Sequence, residues 1–335
     1  MKADAAGSDS PWVSPHAPER GRLARLLGPL HVTGIFWYRL HAWGVSHIPR
    51  WSVPIFVNLF TAFFFLTLRR IRRALADNLI PVLGRPGPWA AQRRIWRTMH
   101  TFAWCLTERY EQLAAPRVPH IEIEHREAWA SVVGTGRGFI VLTAHIGCWE
   151  VAASVLTQQV SQRVHLVREE EIAPEAQRFV SGLVARHSAG RFVTHFAGDP
   201  RLGLELKEAL AGGEIVALQG DRPRAGGQSL CASLFGHTLE LPAGPFVLAR
   251  LTGAPLLPAF AFREGRLRYR IAFRDAIHVA ATADRRHDLA RAVQAVASDM
   301  EWAVARSPFQ WFCFRRAWSP GTGSTVSARS RLTVG

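Results

Sequence analysis

Hydrophobic and polar positions divide the chain near residue 119. Before that point the apolar residues come in long blocks. Residues 51–68, WSVPIFVNLFTAFFFLTL, form an uncharged run between Arg50 and Arg69. As a helix rising ~1.5 Å per residue it would reach about 27 Å, slightly less than the ~30 Å hydrocarbon layer of a bilayer. Arg69, Arg70, Arg72 and Arg73 follow, where a juxtamembrane basic cluster meets anionic headgroups. Pro54, Asn58 and Thr61 interrupt the run, and a core helix of a soluble domain is the competing reading. From Trp89 to Leu113, Ile95, Met99, Phe102, Leu106 and Tyr110 recur at three and four residues among Arg93, Arg94 and Arg97. That spacing predicts an amphipathic helix.

Beyond residue 119 short apolar or β-branched runs alternate with helical patterns, which predicts an α/β fold with a central mixed sheet flanked by helices. The expected strands are Ile121–Glu124, Phe139–Thr143, Val164–Arg168, Arg191–His195, Ile215–Gln219, Pro255–Phe262 and Leu267–Phe273. The expected helices are Val151–Gln159, Ala173–His187, Leu202–Ala211, Gly244–Thr252 and Asp284–Ala305. The chain then divides into a disordered leader over 1–25, an N-terminal helical membrane-anchoring region over 26–115, a catalytic α/β domain over 116–318 and a disordered tail over 319–335. The polar, proline-bearing start does not read as a cleavable secretory signal.

Composition narrows the partners. A formal charge of +15, mostly from arginine, together with 12 tryptophans favours an anionic partner that also offers an interface, as anionic lipid does. The sequence has no zinc-finger spacing, basic zipper or RNP-like motif, so nucleic acid is not expected. Cys105, Cys148, Cys231 and Cys313 lack the short paired spacings of a metal or redox site and read as reduced thiols. No metal is expected. A site at His120-Ile-Glu-Ile-Glu-His125 is set aside because its alternation suits a strand with one polar face. Oligomeric state leaves no trace in the sequence.

One segment concentrates chemistry. In GRGFIVLTAHIGCWEVAASVL a buried strand runs into His145, then a glycine turn, then a helix start. A side chain at the carboxyl end of such a strand projects into the crevice where α/β proteins bind ligands. Glu150 falls in the first helical turn, from which its carboxylate can return toward the imidazole. A carboxylate on one ring nitrogen fixes the tautomer and leaves the other nitrogen to take a proton from an alcohol. The bland readings are a loop histidine and a glutamate placed by the helix dipole. Cys148 is a nucleophile candidate of lower rank, and no Gly-x-Ser-x-Gly elbow points to a hydrolase.

Ala144-His145-Ile146-Gly147-Cys148-Trp149-Glu150 resembles the His-x4-Asp/Glu block of the lysophospholipid acyltransferase superfamily, in particular its lipid A biosynthesis (lauroyl/myristoyl) branch. Cys148 stands where that branch usually has asparagine. Val167-Arg168 is similar to the family's strand-end arginine, and Gln219-Gly220-Asp221-Arg222-Pro223 to its acceptor-site block. Leu234-Phe235-Gly236, Leu241-Pro242-Ala243-Gly244-Pro245, Leu248-Ala249-Arg250 and Thr252-Gly253-Ala254-Pro255-Leu256-Leu257-Pro258 follow in the family's order. Ser307-Pro308-Phe309-Gln310-Trp311 through Arg316 and Trp318 resembles the closing element, with Phe309 replacing the usual glutamate.

The resemblance implies transfer of a fatty acyl chain from acyl carrier protein or coenzyme A to a hydroxyl of a membrane glycolipid or lipid A-like acceptor. It implies no cofactor beyond that thioester, and a place on the cytoplasmic face of the inner membrane. His145 would be the base and Glu150 its orienting partner, with amides near Gly147, Arg168 or Arg222 meeting the oxyanion. Arg168 and Arg222 have two further readings, as anchors for an anionic acceptor or as solvated surface residues. Asp221 is read either as an acceptor contact or as a turn residue before Arg222-Pro223. Relatives sharing the dyad also acylate phosphatidylinositol mannosides, aryl polyenes and aminolipids, and a peripheral membrane-binding protein without activity is the non-enzymatic alternative.

Overall fold

A computed structural model describes residues 39–40, 43–44, 47–114, 118–149, 160–169, 191–224 and 226–319. The expected leader over 1–25, Glu150, the helices expected over 151–159 and 173–187, and the tail from residue 320 lie outside the described residues.

The uncharged run becomes helix α1, Val53–Thr67. Pro54 sits in its first turn, where a missing N–H costs nothing. Asn58 and Thr61 return their polar groups to the helix's own carbonyls, Nδ2 to Pro54 O at 2.8 Å and Oγ1 to Val57 O at 2.7 Å. Leu68 breaks the helix, and α2, Arg69–Leu83, leaves at 92°. The amphipathic stretch forms α3, Pro88–Ala114, which buries Ile95, Met99, Cys105 and Tyr110. Helices α1 and α2 both pack on α3. Among the described residues no single helix is long and apolar enough to cross a membrane.

Among the described residues seven strands form one mixed sheet: β1 His120–Glu124, β2 Phe139–Thr143, β3 Val164–Arg168, β4 Phe192–Phe196, β5 Ile215–Gln219, β8 Leu256–Gly265 and β9 Arg268–Phe273. Their order is β1-β9-β8-β2-β5-β3-β4, antiparallel only between β8 and β9. The strands β2 and β5 are each apolar on both faces, as central parallel strands must be. Two further strands, β6 Ser229–Leu234 and β7 His237–Pro242, pair as a hairpin. Phe235 and Gly236 both carry positive φ, 48° and 73°, which fits a two-residue turn of the primed type.

Helices α5 Leu202–Ala211, α6 Gly244–Thr252 and α7 Arg285–Arg306 cover one face of the sheet with the hairpin, in a cluster that includes Leu206, Phe246, Val296 and Leu234. Asp284 caps α7 by accepting the His287 N–H at 3.0 Å. The other face carries α4, Arg126–Val133, whose Trp129 stacks on Phe273 and meets Phe139 edge-on. The HIEIE alternation is strand β1, and its Glu122 and Glu124 pair with Arg270.

Candidate active site

Strands β2 and β5 are parallel neighbours with Thr143 opposite Gln219, and the ladder runs on through the Gly220 N–H, which donates to Thr143 O at 2.7 Å. His145 and Asp221 each lie two residues beyond that register. Equal offsets on paired strands bring side chains of one face together, and His145 Nδ1 lies 2.7 Å from Asp221 Oδ1. The imidazole is 26% exposed and the carboxylate 0%. Burial alone would raise the Asp221 carboxyl. The charge and hydrogen bond of His145, with the Arg222 guanidinium nearby, outweigh it and hold Asp221 well below the usual carboxylate range. An ionised acceptor on Nδ1 keeps the proton there and leaves Nε2 with its lone pair.

The loop after His145 is pinned on both sides. Phe312 N–H donates to His145 O at 2.8 Å, and Ile146 bridges Trp311. Gly147 bridges Ala261 of β8 with φ of 58°, and a Cβ there would come 1.9 Å from Ala261 O. Glycine is required for this approach. The Gly147 N–H donates to Gln310 O at 3.0 Å. The amide of Gly147 itself is thus engaged within the fold, and the residue serves close packing.

His145, Gly147, Arg168 and Arg222 line a cavity of about 1150 Å3. Its walls are apolar where α5, α6 and α3 contribute Leu206, Leu248 and Phe102, and Arg109 and Arg224 add to its charge. Asp221 lies beneath, supporting His145 from the interior. Arg222 Nε stands 3.8 Å from Asp221 Oδ2 while its Nη2 donates to Phe312 O. Arg168 closes β3 at the cavity edge. Glu150 lies outside the described residues, so the geometry brings together His145, Asp221 and Arg222.

Cys148 lies in an apolar cluster with Cys105, Tyr269 and Phe312. Burial, a hydrogen bond with Cys105 and the charge of Glu108 all push its thiol up, away from the thiolate that nucleophilic catalysis needs.

The residues that hold the loop, Gln310 and Phe312, were visible in sequence only as part of a closing block. A model of the bacterial lipid A biosynthesis acyltransferase family matches residues 26–319. The chain belongs to that family. It is also 30% identical over 207 residues to a phosphatidylinositol mannoside acyltransferase of Mycolicibacterium smegmatis, covering 57% of this chain and 63% of that protein. A protein of the same name from Mycobacterium tuberculosis is 28% identical over 214 residues, 62% of each chain. This lipid A acyltransferase family member thus spans a little under two thirds of the length of those relatives. Among solved structures, the 1-acyl-sn-glycerophosphate acyltransferase of Thermotoga maritima overlaps with a TM-score of 0.37 at 14% identity, covering 76% of this chain and 97% of that one. The fold assignment stands on the strand pairing above and not on that likeness.

Proposed function

We propose that the chain transfers a fatty acyl group from a thioester, on acyl carrier protein or coenzyme A, to a hydroxyl of a membrane glycolipid. The observation that carries this reading is the buried Asp221 carboxylate on His145 Nδ1 at the floor of a large, partly apolar cavity. The free Nε2 takes the proton of the acceptor hydroxyl as its oxygen attacks the thioester carbonyl. The tetrahedral intermediate then collapses, its carbon–sulfur bond breaks, and the imidazolium returns the proton to the departing thiolate. Asp221 stabilises that imidazolium and takes the orienting role that the sequence alone had placed on Glu150. Arg168 and Arg222 supply positive charge for the oxyanion or for an anionic acceptor headgroup. The mycobacterial relatives are named for phosphatidylinositol mannoside, and a phosphate-bearing glycolipid suits the arginines around this cavity.

The protein acts on the membrane surface through α1. At ~1.5 Å per residue its 15 residues extend about 22 Å, short of a bilayer core, and the 92° bend turns the chain away. Ile55, Leu59, Phe63 and Leu66 are exposed along the helix, with Trp51 before it. Arginines open α2 where the helix dipole disfavours them, a placement that anionic headgroups would relieve. Basic residues flanking an apolar segment favour the cytoplasmic leaflet.

The test is incubation of the full chain with a labelled acyl thioester, carried by acyl carrier protein or by coenzyme A, and vesicles containing phosphatidylinositol mannoside or a lipid A precursor. Mass spectrometry should find an acylated glycolipid with one acceptor and none with His145→Ala. Absence of product with every pair, or equal product from His145→Ala, overturns the proposal.

A further inference from the structure

Helix α2 carries a buried asparagine on its apolar face. Asn78 is 1% exposed between Leu75 and Leu79, themselves 1% and 3% exposed. An amide there is costly unless its groups are all met. Asn78 meets them on a single distant segment. Its Nδ2 donates to Cys313 O at 2.9 Å and to Arg315 O at 2.7 Å, and its Oδ1 accepts the Ala317 N–H at 2.9 Å. Both donors and the acceptor of one side chain are used, and only one orientation of the amide satisfies all three.

The receiving segment needs this support. After the short turn Pro308–Gln310 the chain runs to residue 319, and among the described residues it joins a ladder at isolated bridges of Trp311 and Trp318. Its backbone groups at Cys313, Arg315 and Ala317 instead take the Asn78 side chain as partner. The same segment holds the site: Gln310 O accepts from Gly147, Phe312 N–H donates to His145 O, and Phe312 O accepts from Arg222. Phe312 and Phe314 also line the cavity, whereas Asn78 is not among its lining residues. Phe314 packs both with Phe312 and Cys148 and with the α1–α3 cluster that includes Phe64 and Leu75.

We propose that Asn78 is a positioning residue for the His145 site, clamping residues 313–317 to α2 so that the catalytic loop and the α1–α2 corner move as one body. The proposal rests on the reading of His145 as the base. Asn78→Asp keeps the size and the acceptor but turns lone pairs toward two carbonyls. Asn78→Ala removes all three bonds and leaves room for water.

Hydrogen exchange on the full-length variants reads the coupling without any need for acyl transfer. Peptides covering 144–149 and 309–318 should exchange at least about 10-fold faster in both variants, with β2, β5 and β8 unchanged. In the transfer assay kcat should fall about 10- to 100-fold, with the thioester KM within about 3-fold and vesicle binding as in the parent chain. Faster exchange confined to α2 and 313–317, an unchanged kcat, or a loss carried by KM overturns the proposal. A parent chain that transfers no acyl group instead overturns the function, and the exchange measurement then decides the coupling alone. If Asn78→Asp does not fold, Asn78→Ala carries the same comparison.

Discussion

At the parallel end of the sheet His145 meets Asp221 at 2.7 Å, with side chains 26% and 0% exposed, whereas on β1 His120 meets Glu122 at 3.5 Å with side chains 63% and 42% exposed. Each pair sets an imidazole beside a carboxylate, and their surroundings differ. On β1, an edge strand, the carboxylates join an open lattice in which Arg270 reaches Glu122, Glu124 and Glu264 and Arg306 reaches Glu124. Charge on an edge strand discourages pairing with other chains, and exposed pairs add little stability. Beyond β2 and β5 a single carboxylate is fully buried against one imidazole, where low dielectric strengthens the interaction and solvent does not share it. A histidine beside an acid therefore gains chemical meaning from the strand ends that hold it.

The comparison breaks most sharply at His145. His145→Ala should lower acyl transfer by about 10²- to 10⁴-fold in a thioester assay, while His120→Ala leaves the rate unchanged. Next in size is the membrane face. Leu59→Asp or Phe63→Asp should weaken binding to anionic vesicles at least about 10-fold in a flotation assay, because each large apolar side chain contributes about 1.5–3 kcal/mol on burial. Circular dichroism should show the same unfolding temperature, since both positions are exposed in the fold.

A smaller effect follows from the buried acid, Asp221. Asp221 is depressed in the folded chain relative to its ordinary value near ~3.9, so its ionised form stabilises the fold above about pH 4. That contribution is lost as pH falls below this value. Urea midpoints should therefore drop on acidification in the parent chain, and Asp221→Asn should remove part of that drop. Smallest of all is Arg270→Ala, which should move the melting temperature by about 2 °C or less and leave transfer intact.

How much of this was legible in sequence depended on what each signal measures. Strands β2 and β5 emerged with the bounds the fold uses because a strand buried on both faces leaves a near-continuous apolar run. The amphipathic period found α3, and the apolar run ended where α1 ends. The hairpin β6–β7 was missed although Ala232 and Leu234 alternate with exposed Cys231 and Ser233, because the stretch was taken up as a family block. The pairing of His145 with Asp221 joins residues 76 positions apart. It depends on β2 and β5 being neighbours, and strand order leaves no mark in local periodicity, so Asp221 carried only an acceptor or turn reading. Asn78 did leave a signal. A lone amide at a core position of an amphipathic helix asks for partners, although nothing local names Cys313, Arg315 and Ala317 as those partners.

The central claim is that Asp221 orients His145 for proton abstraction. It is tested most directly by comparing kcat for Asp221→Asn and Glu150→Gln in one acyl-transfer assay with the full chain. Asp221→Asn should lose at least about 10²-fold, more than Glu150→Gln, because the amide removes the ionised acceptor that sets the imidazole's tautomer. A near-parental rate for Asp221→Asn beside a collapsed rate for Glu150→Gln would contradict it.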